Sequence, residues 1–244
     1  PAIQGFYDIS NSMLGGLLFT MAVGAVIAMP FAGWLTTRFG SKTITQVGGI
    51  LSCIIIPYLV FTSNLTVVGA SFFFLGLCVG ATDVAMNGQA VFVERAYGKA
   101  IMSSFHAVFS IGMALGAGSG ALFAKFEVGL LSHLTLAAVL GGIACIGAAF
   151  YLIDDTPEDV GKTGEGSSFV LPTKAILPLG IVGFCCMAGE GAMADWSAIF
   201  MNKVIGESEY FSAIGYGVFA TAMTIGRVFG DYFNNLLFTN SDDS

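Results

Sequence analysis

Charge is what this sequence has least of. Only 10% of its 244 residues are Asp, Glu, Lys or Arg, against about a quarter in a soluble domain. Lys and Arg together number nine and the formal net charge is −7, so the basic surface that nucleic-acid binding needs is missing. The five cysteines (Cys53, Cys78, Cys145, Cys185 and Cys186) all lie in apolar runs. None stands in a CxxC or Cys/His spacing, so no metal site is expected and they read as small packing residues. The polar/apolar alternation of a β-barrel is absent too. "GKT" at 161–163 invites a phosphate-loop reading, but the position five residues before Gly161 is Thr156, not Gly, so nucleotide binding is rejected. No Ser/His/Asp, metal or nucleotide constellation is present, and neither an enzyme nor a cofactor is expected.

What the chain does have is apolar length. Hydrophobic residues make up 55% of it, more than a core can absorb, so lipid is the expected solvent. Seven runs are long enough to cross ~30 Å of hydrocarbon at 1.5 Å per residue. They are 13–36, 43–62, 66–92, 100–124, 130–153, 174–203 and 210–234. Their continuity predicts an all-α polytopic membrane fold, since a backbone in lipid must satisfy itself. Gly112, Gly116 and Gly120 fall on one helix face, and Gly76 and Gly80 repeat the spacing. Both stripes are expected to bring helices close.

The few cations orient the chain. Arg38, Lys42, Arg95, Lys99, Lys162, Lys174 and Arg227 collect on one side of the spans, and only Lys125 and Lys203 on the other. The first side is therefore expected to be cytoplasmic. The N-terminus is then outside and the C-terminal end inside. With Pro1 at the start and no signal sequence, the expectation is a fragment of a longer membrane protein; a complete seven-helix receptor or sensor is the competing reading. The 154–173 stretch, rich in Pro, Gly, Ser and acids, reads as a cytoplasmic connector. A glycosylation sequon at 64–66 reads as chance in so short a loop.

Polar residues inside the spans carry the functional expectation, because each is costly in lipid. Asp83, Asn87 and Gln89 lie in the third span and His106 in the fourth. Helical rise puts Asp83 ~13 Å and His106 ~9 Å from the cytoplasmic ends of their spans, level enough to pair, as a proton relay or as a structural hydrogen bond. Asp83, Asn87 and Glu94 share one face. In the sixth span, Glu190 sits between Gly189 and Gly191, where a weakened helix can turn backbone groups toward a ligand. A mid-membrane carboxylate must be neutral or paired with a cation. Asp195, about 140° round the helix, reads with Trp196 as an interface or gate residue. Arg227 and Asp231 at i, i+4 read as an intrahelical ion pair or as a tie to a neighbouring helix.

"GWLTTRFGSK" at 33–42 resembles the signature loop of the major facilitator superfamily, G-x-L-x-D-R-x-G-R-R. Gly33, Leu35, Arg38, Gly40 and Lys42 match; Thr37 stands where the pattern has Asp and Ser41 replaces a basic residue. The usual Asp-centred charge relay is therefore not expected in its usual form. "DVAMNGQAVFVERAYGKAIMSSFHAVFSIGMALGA" and "GEGAMADWSAIF" look like the YbjJ-type bacterial inner-membrane transporters related to fucose permease. The resemblance implies the major facilitator fold, running here from the end of helix 1 through helix 8. It implies a six-helix half over 1–153, a central loop over 154–173 and the start of a second half over 174–244. "GRVFGD" at 226–231 then takes the place at the end of helix 8 that the signature loop takes after helix 2.

The resemblance also implies function: a monomeric secondary transporter of a small polar solute, proton-coupled, in a bacterial inner membrane. Asp83, Asn87, His106, Glu190 and Asp195 are the residues expected at solute or proton. Gly33, Arg38, Gly40, Lys42, Glu94, Arg95, Arg227 and Asp231 are expected in the signature loop and cytoplasmic gate.

Overall fold

The computed structural model describes residues 2–155, 174 and 177–238. The connector beyond Asp155, with its "GKT", lies outside them. The described residues form helices joined by short turns: α1 (Ala2–Tyr7), α2 (Asn11–Phe39), α3 (Ser41–Tyr58), α4 (Leu65–Tyr97), α5 (Met102–Lys125), α6 (Leu130–Ala149), α7 (Leu177–Phe200) and α8 (Glu209–Phe238). A π-helical turn, Met201–Ile205, extends α7. The seven long helices fall on the seven expected spans, to within a few residues at most ends. Five of them, α2, α4, α5, α6 and α7 with its π-turn, are apolar enough over a sufficient length to cross a membrane. In α3, Lys42 and Gln46 dilute the first turns. The chain is a multi-pass all-α membrane protein. Its large apolar side chains face outward as lipid-facing ones do: Phe19 is 69% exposed, Leu179 72% and Phe184 72%.

Helix ends follow local chemistry. The Ser10 hydroxyl caps α2 by accepting the Met13 N–H at 3.2 Å. Asn64 caps α4 by accepting the Thr66 N–H at 2.9 Å, so the sequon asparagine has a structural use. Gly98, at φ 72°, ends α4. At 33 residues, α4 is ~50 Å long at helical rise, well over the hydrocarbon thickness; Glu94 and Arg95 ride on the surplus.

The helices form two compact units. The first comprises Ala2–Met102 with α6 and the residues to Asp155. Here α2 and α4 run parallel and close. A Cβ at Gly24 would strike the Phe73 carbonyl and one at Gly76 the Met21 carbonyl, while one at Gly80 would come within 2.6 Å of the Ala25 carbonyl. The Gly76/Gly80 expectation therefore holds, for a reason beyond composition: two backbones touch there. Between them lies a small core of Leu17, Leu59, Val68, Phe72 and Leu75. α3 packs antiparallel to α4 and to α6.

The second unit comprises Ser103–Glu127 with α7 and α8. α5 and α8 are antiparallel, as are α7 and α8. Among the described residues nothing lies within 4 Å of a Cβ built at Gly112 or Gly116, so no close approach is made at these two glycines; α5 meets α8 through Ser110 and Met113.

Candidate functional site

In the unit of α5, α7 and α8, four residues on three helices converge. Arg227 of α8 forms a salt bridge with Glu190 of α7, Nη2 to Oε2 at 2.8 Å, with both side chains 21% exposed. Its other terminal nitrogen donates to the Ser110 hydroxyl of α5 and to the His106 carbonyl at 3.3 Å. Ser110 donates in turn to the same carbonyl at 3.0 Å. The hydroxyl is small and sits one turn from that carbonyl, so the guanidinium can approach α5 closely.

One turn further along α5, the Tyr216 hydroxyl of α8 donates to the Met113 sulfur at 2.9 Å. Ser110 and Met113 are three residues apart, ~4.5 Å of helix, so Tyr216 ends about one turn from the ion pair. A thioether is a weak acceptor, and the second oxygen of Glu190 has no partner among the described residues. The cluster thus presents a charged pair, a carboxylate oxygen with no partner among the described residues and a loosely held phenol where α8 meets α5 and α7, the latter two long and apolar enough to cross a membrane.

Several expectations change here. Arg227, read as paired with Asp231 or as a tie to a neighbouring helix, makes such a tie: its partner is Glu190 of α7. The Asp231 side chain lies outside the described residues. His106 enters through its carbonyl. The glycines flanking Glu190 leave α7 continuous, with nothing within 4 Å of either; the helix departs from α geometry only at the later π-turn. Asp195 and Trp196 are exposed on α7.

In the other unit, Asp83 is half-buried and accepts from Asn87, whose amide also reaches the Asp83 carbonyl at 2.8 Å. The two share one face, as spacing predicts. Asp83 and His106 belong to different units. Glu94 is a capping residue: its Oε2 accepts the N–H groups of Ile101 at 2.9 Å and Met102 at 2.8 Å. Arg95 is exposed.

The signature loop has an anchor that sequence reasoning missed. Gly40 takes φ 80°, and a Cβ there would lie 2.7 Å from the Asp155 carbonyl; both facts demand glycine. The Asp155 carboxylate accepts the N–H of Ser41 at 2.6 Å and of Lys42 at 3.2 Å, capping α3 from 113 residues or more away. Burial pushes this carboxyl up, but hydrogen bonds from the Ser41 side chain and from the Ser41 and Lys42 backbone outweigh it and hold it below the ordinary carboxylate value. Gln89, 3% exposed, completes the knot. It donates to Ser41 Oγ and to the Ile153 carbonyl, both at 2.8 Å, and accepts the Ile153 N–H at 3.0 Å. Gln89 was visible as a polar residue in a span; Asp155 hid in an acidic connector.

The other signature residues play smaller parts. Lys42 pairs with the 84%-exposed Asp154 at 2.7 Å, a contact of little energetic value. Arg38 lies over the Trp34 and Phe39 rings at 5.6 and 5.9 Å. Gly33 meets nothing within 4 Å.

Known proteins agree with this architecture. The family model of the Major Facilitator Superfamily matches residues 1–238. An uncharacterized MFS-type transporter of Yersinia pestis is 34% identical over 95% of this chain and 59% of its own length. An uncharacterized transporter of Sinorhizobium fredii is 31% identical over 95% of this chain and 61% of its own. The membrane protein MosC of Rhizobium meliloti is 28% identical over 95% and 56%. The chain thus spans about three fifths of the length of these relatives. No solved structure matches. With a match over nearly its whole length and the glycine-turned loop at 33–42 in place, the chain belongs to the major facilitator superfamily.

Proposed function

We propose that this chain is part of a proton-coupled secondary transporter that moves a small polar solute by alternating access, in the fucose-permease-related subgroup. The observation that carries the reading is the Glu190–Arg227 pair between α7 and α8, which leaves one Glu190 oxygen without a partner among the described residues. Ionisable residues at that depth are expensive and are kept for transport work. The Yersinia and Sinorhizobium relatives, both named as transporters, support the same class.

The pair supplies a switch. With Glu190 on Arg227 the charges neutralise each other. A proton taken at the free Glu190 oxygen removes the Coulomb attraction. The guanidinium then keeps Ser110 and the His106 carbonyl and turns its remaining donors to a solute hydroxyl or carbonyl. Asp83 with Asn87 on α4 is the second polar station, and Asp195 lies toward the outer end of α7. Bacterial inner-membrane placement follows the family resemblance, and the cytoplasmic side of 154–173 and of the C-terminal end follows the Lys/Arg skew. Division at 154–173 into two halves follows the family pattern. Under it, Arg38, Lys42, Glu94 and Arg95 sit at the cytoplasmic ends of the first half, where rocking of the halves makes and breaks contacts.

The experiment is uptake of a panel of monosaccharides and related polyols into proteoliposomes under an imposed pH gradient, with Glu190→Gln and Asp83→Asn beside the unaltered protein. Accumulation abolished by a protonophore supports coupling. Uptake unchanged by both substitutions removes the assigned roles.

A further inference from the structure

Cys53 of α3 and Cys145 of α6 face each other across an antiparallel seam. A Cβ at Gly49 would lie 3.1 Å from the Cys145 sulfur, and a Cβ at Gly141 would lie 3.1 Å from the Cys53 sulfur. Each glycine precedes the cysteine of its own helix by four residues. Each thiol therefore sits in the notch left by the other helix's glycine, and the two sulfurs face each other across the seam. Both are free cysteines. An open apolar groove between the helices, bordered by Ile50, Ile54, Val139 and Ile143, reaches Cys53. Gln46 fixes the register at one end by donating to the Ala149 carbonyl at 3.3 Å. Transport as proposed above makes no use of this pair.

Two sulfurs in an apolar seam select one class of ligand. Among the described residues no group of three or more His, Cys, Asp or Glu could hold a metal, so a cation here has two thiolates and no third protein ligand. Hard cations need six or more oxygens and zinc needs four ligands; soft cations take thiolate. At about 2.3 Å per metal–sulfur bond, a linear dithiolate spans about 4.6 Å, the width of a seam that two facing thiols can bridge. Charge decides the rest. Two thiolates on a divalent cation are neutral, whereas on a monovalent cation they leave one net charge in lipid, which is costly.

We propose that Cys53 and Cys145 form a two-coordinate site for a soft, linear, divalent cation, of which the mercuric ion is the example. Mercuric chloride, itself uncharged, enters through the apolar groove. Two S–H bonds break and two S–Hg bonds form; two chlorides and two protons leave, and the mercury remains divalent.

The test titrates the 244-residue chain in detergent with mercuric chloride, in a background of Cys78→Ser, Cys185→Ser and Cys186→Ser. The expected result is one mercury per chain, two protons released, and two sulfur neighbours with no chloride in X-ray absorption. Stripping should take on the order of a hundredfold more glutathione than in the same background carrying Cys53→Ser or Cys145→Ser, because the second thiolate binds at high effective concentration. Two mercury ions per chain, each keeping a chloride, or equal stripping from paired and single-thiol variants, would overturn the site. Should the background variant melt early, the glutathione comparison is made in wild-type protein with Cys185 and Cys186 alkylated. There too, Cys53→Ser must release the tightly held mercury; retention overturns the proposal.

Discussion

Arg227 meets Glu190 at 2.8 Å across α7 and α8 and braces itself on Ser110 of α5. Removing either charge strands the other among apolar helices. Glu190→Gln or Arg227→Gln should each destabilise the unit by roughly 3 kcal/mol. The double substitution should cost less than the sum of the two, since no charge is then left alone. Thermal melts of the three variants in one detergent check this; strict additivity would mean the two side chains do not act as a pair.

Asp155 gives a pH dependence with a definite sign. Its folded value lies below the ordinary carboxylate value, about 3.9. The stability it contributes is therefore complete above that ordinary value and is lost as pH falls through the lowered folded one. Asp155→Ala should lower stability by about 1–2 kcal/mol near neutral pH, the worth of a helix cap. The gap between variant and wild type should stay constant from pH 7 to 5 and narrow below about pH 4. Melting curves over that range read it directly.

The glycines of α4 and α5 should respond differently. Gly80→Ala forces a methyl against the Ala25 backbone and should cost about 1–3 kcal/mol. Gly116→Ala meets nothing within 4 Å and should gain up to about 1 kcal/mol from helix propensity. Opposite signs in paired melts are expected.

Those two glycines also mark what the sequence discloses. Apolar length placed every long helix, because a span in lipid is a local property of composition. The Gly-xxx-Gly spacing was equally clear at residues 76 and 116, yet among the described residues Gly76 meets a backbone and Gly116 does not, since spacing defines a face and not its partner. The same limit applies to charge. Glu190, Arg227, Asp83 and Asn87 announced themselves as polar residues in apolar runs, and the Asp83/Asn87 contact follows from i, i+4 geometry. The Arg227–Glu190 pairing needs the α7–α8 packing, and Asp155 capping α3 needs residues over a hundred positions apart to meet. Ser110, Met113 and Tyr216 gave no signal, because small, thioether and phenolic residues are ordinary in such helices.

Tyr216 tests the reach of the cluster. Its hydroxyl holds only a sulfur, so Tyr216→Phe should change stability by less than about 1 kcal/mol. Uptake, on the account proposed, should show a shifted pH optimum, because the phenol ends about one helical turn from the Glu190–Arg227 pair. A pH–uptake profile identical to wild type would detach Tyr216 from the site.

The most direct measurement is solute accumulation against exchange in proteoliposomes for Glu190→Gln. The account predicts that wild-type protein concentrates its solute under an inward proton gradient, and that the variant equilibrates solute across the membrane without concentrating it. Accumulation by Glu190→Gln equal to that of the wild type would contradict it.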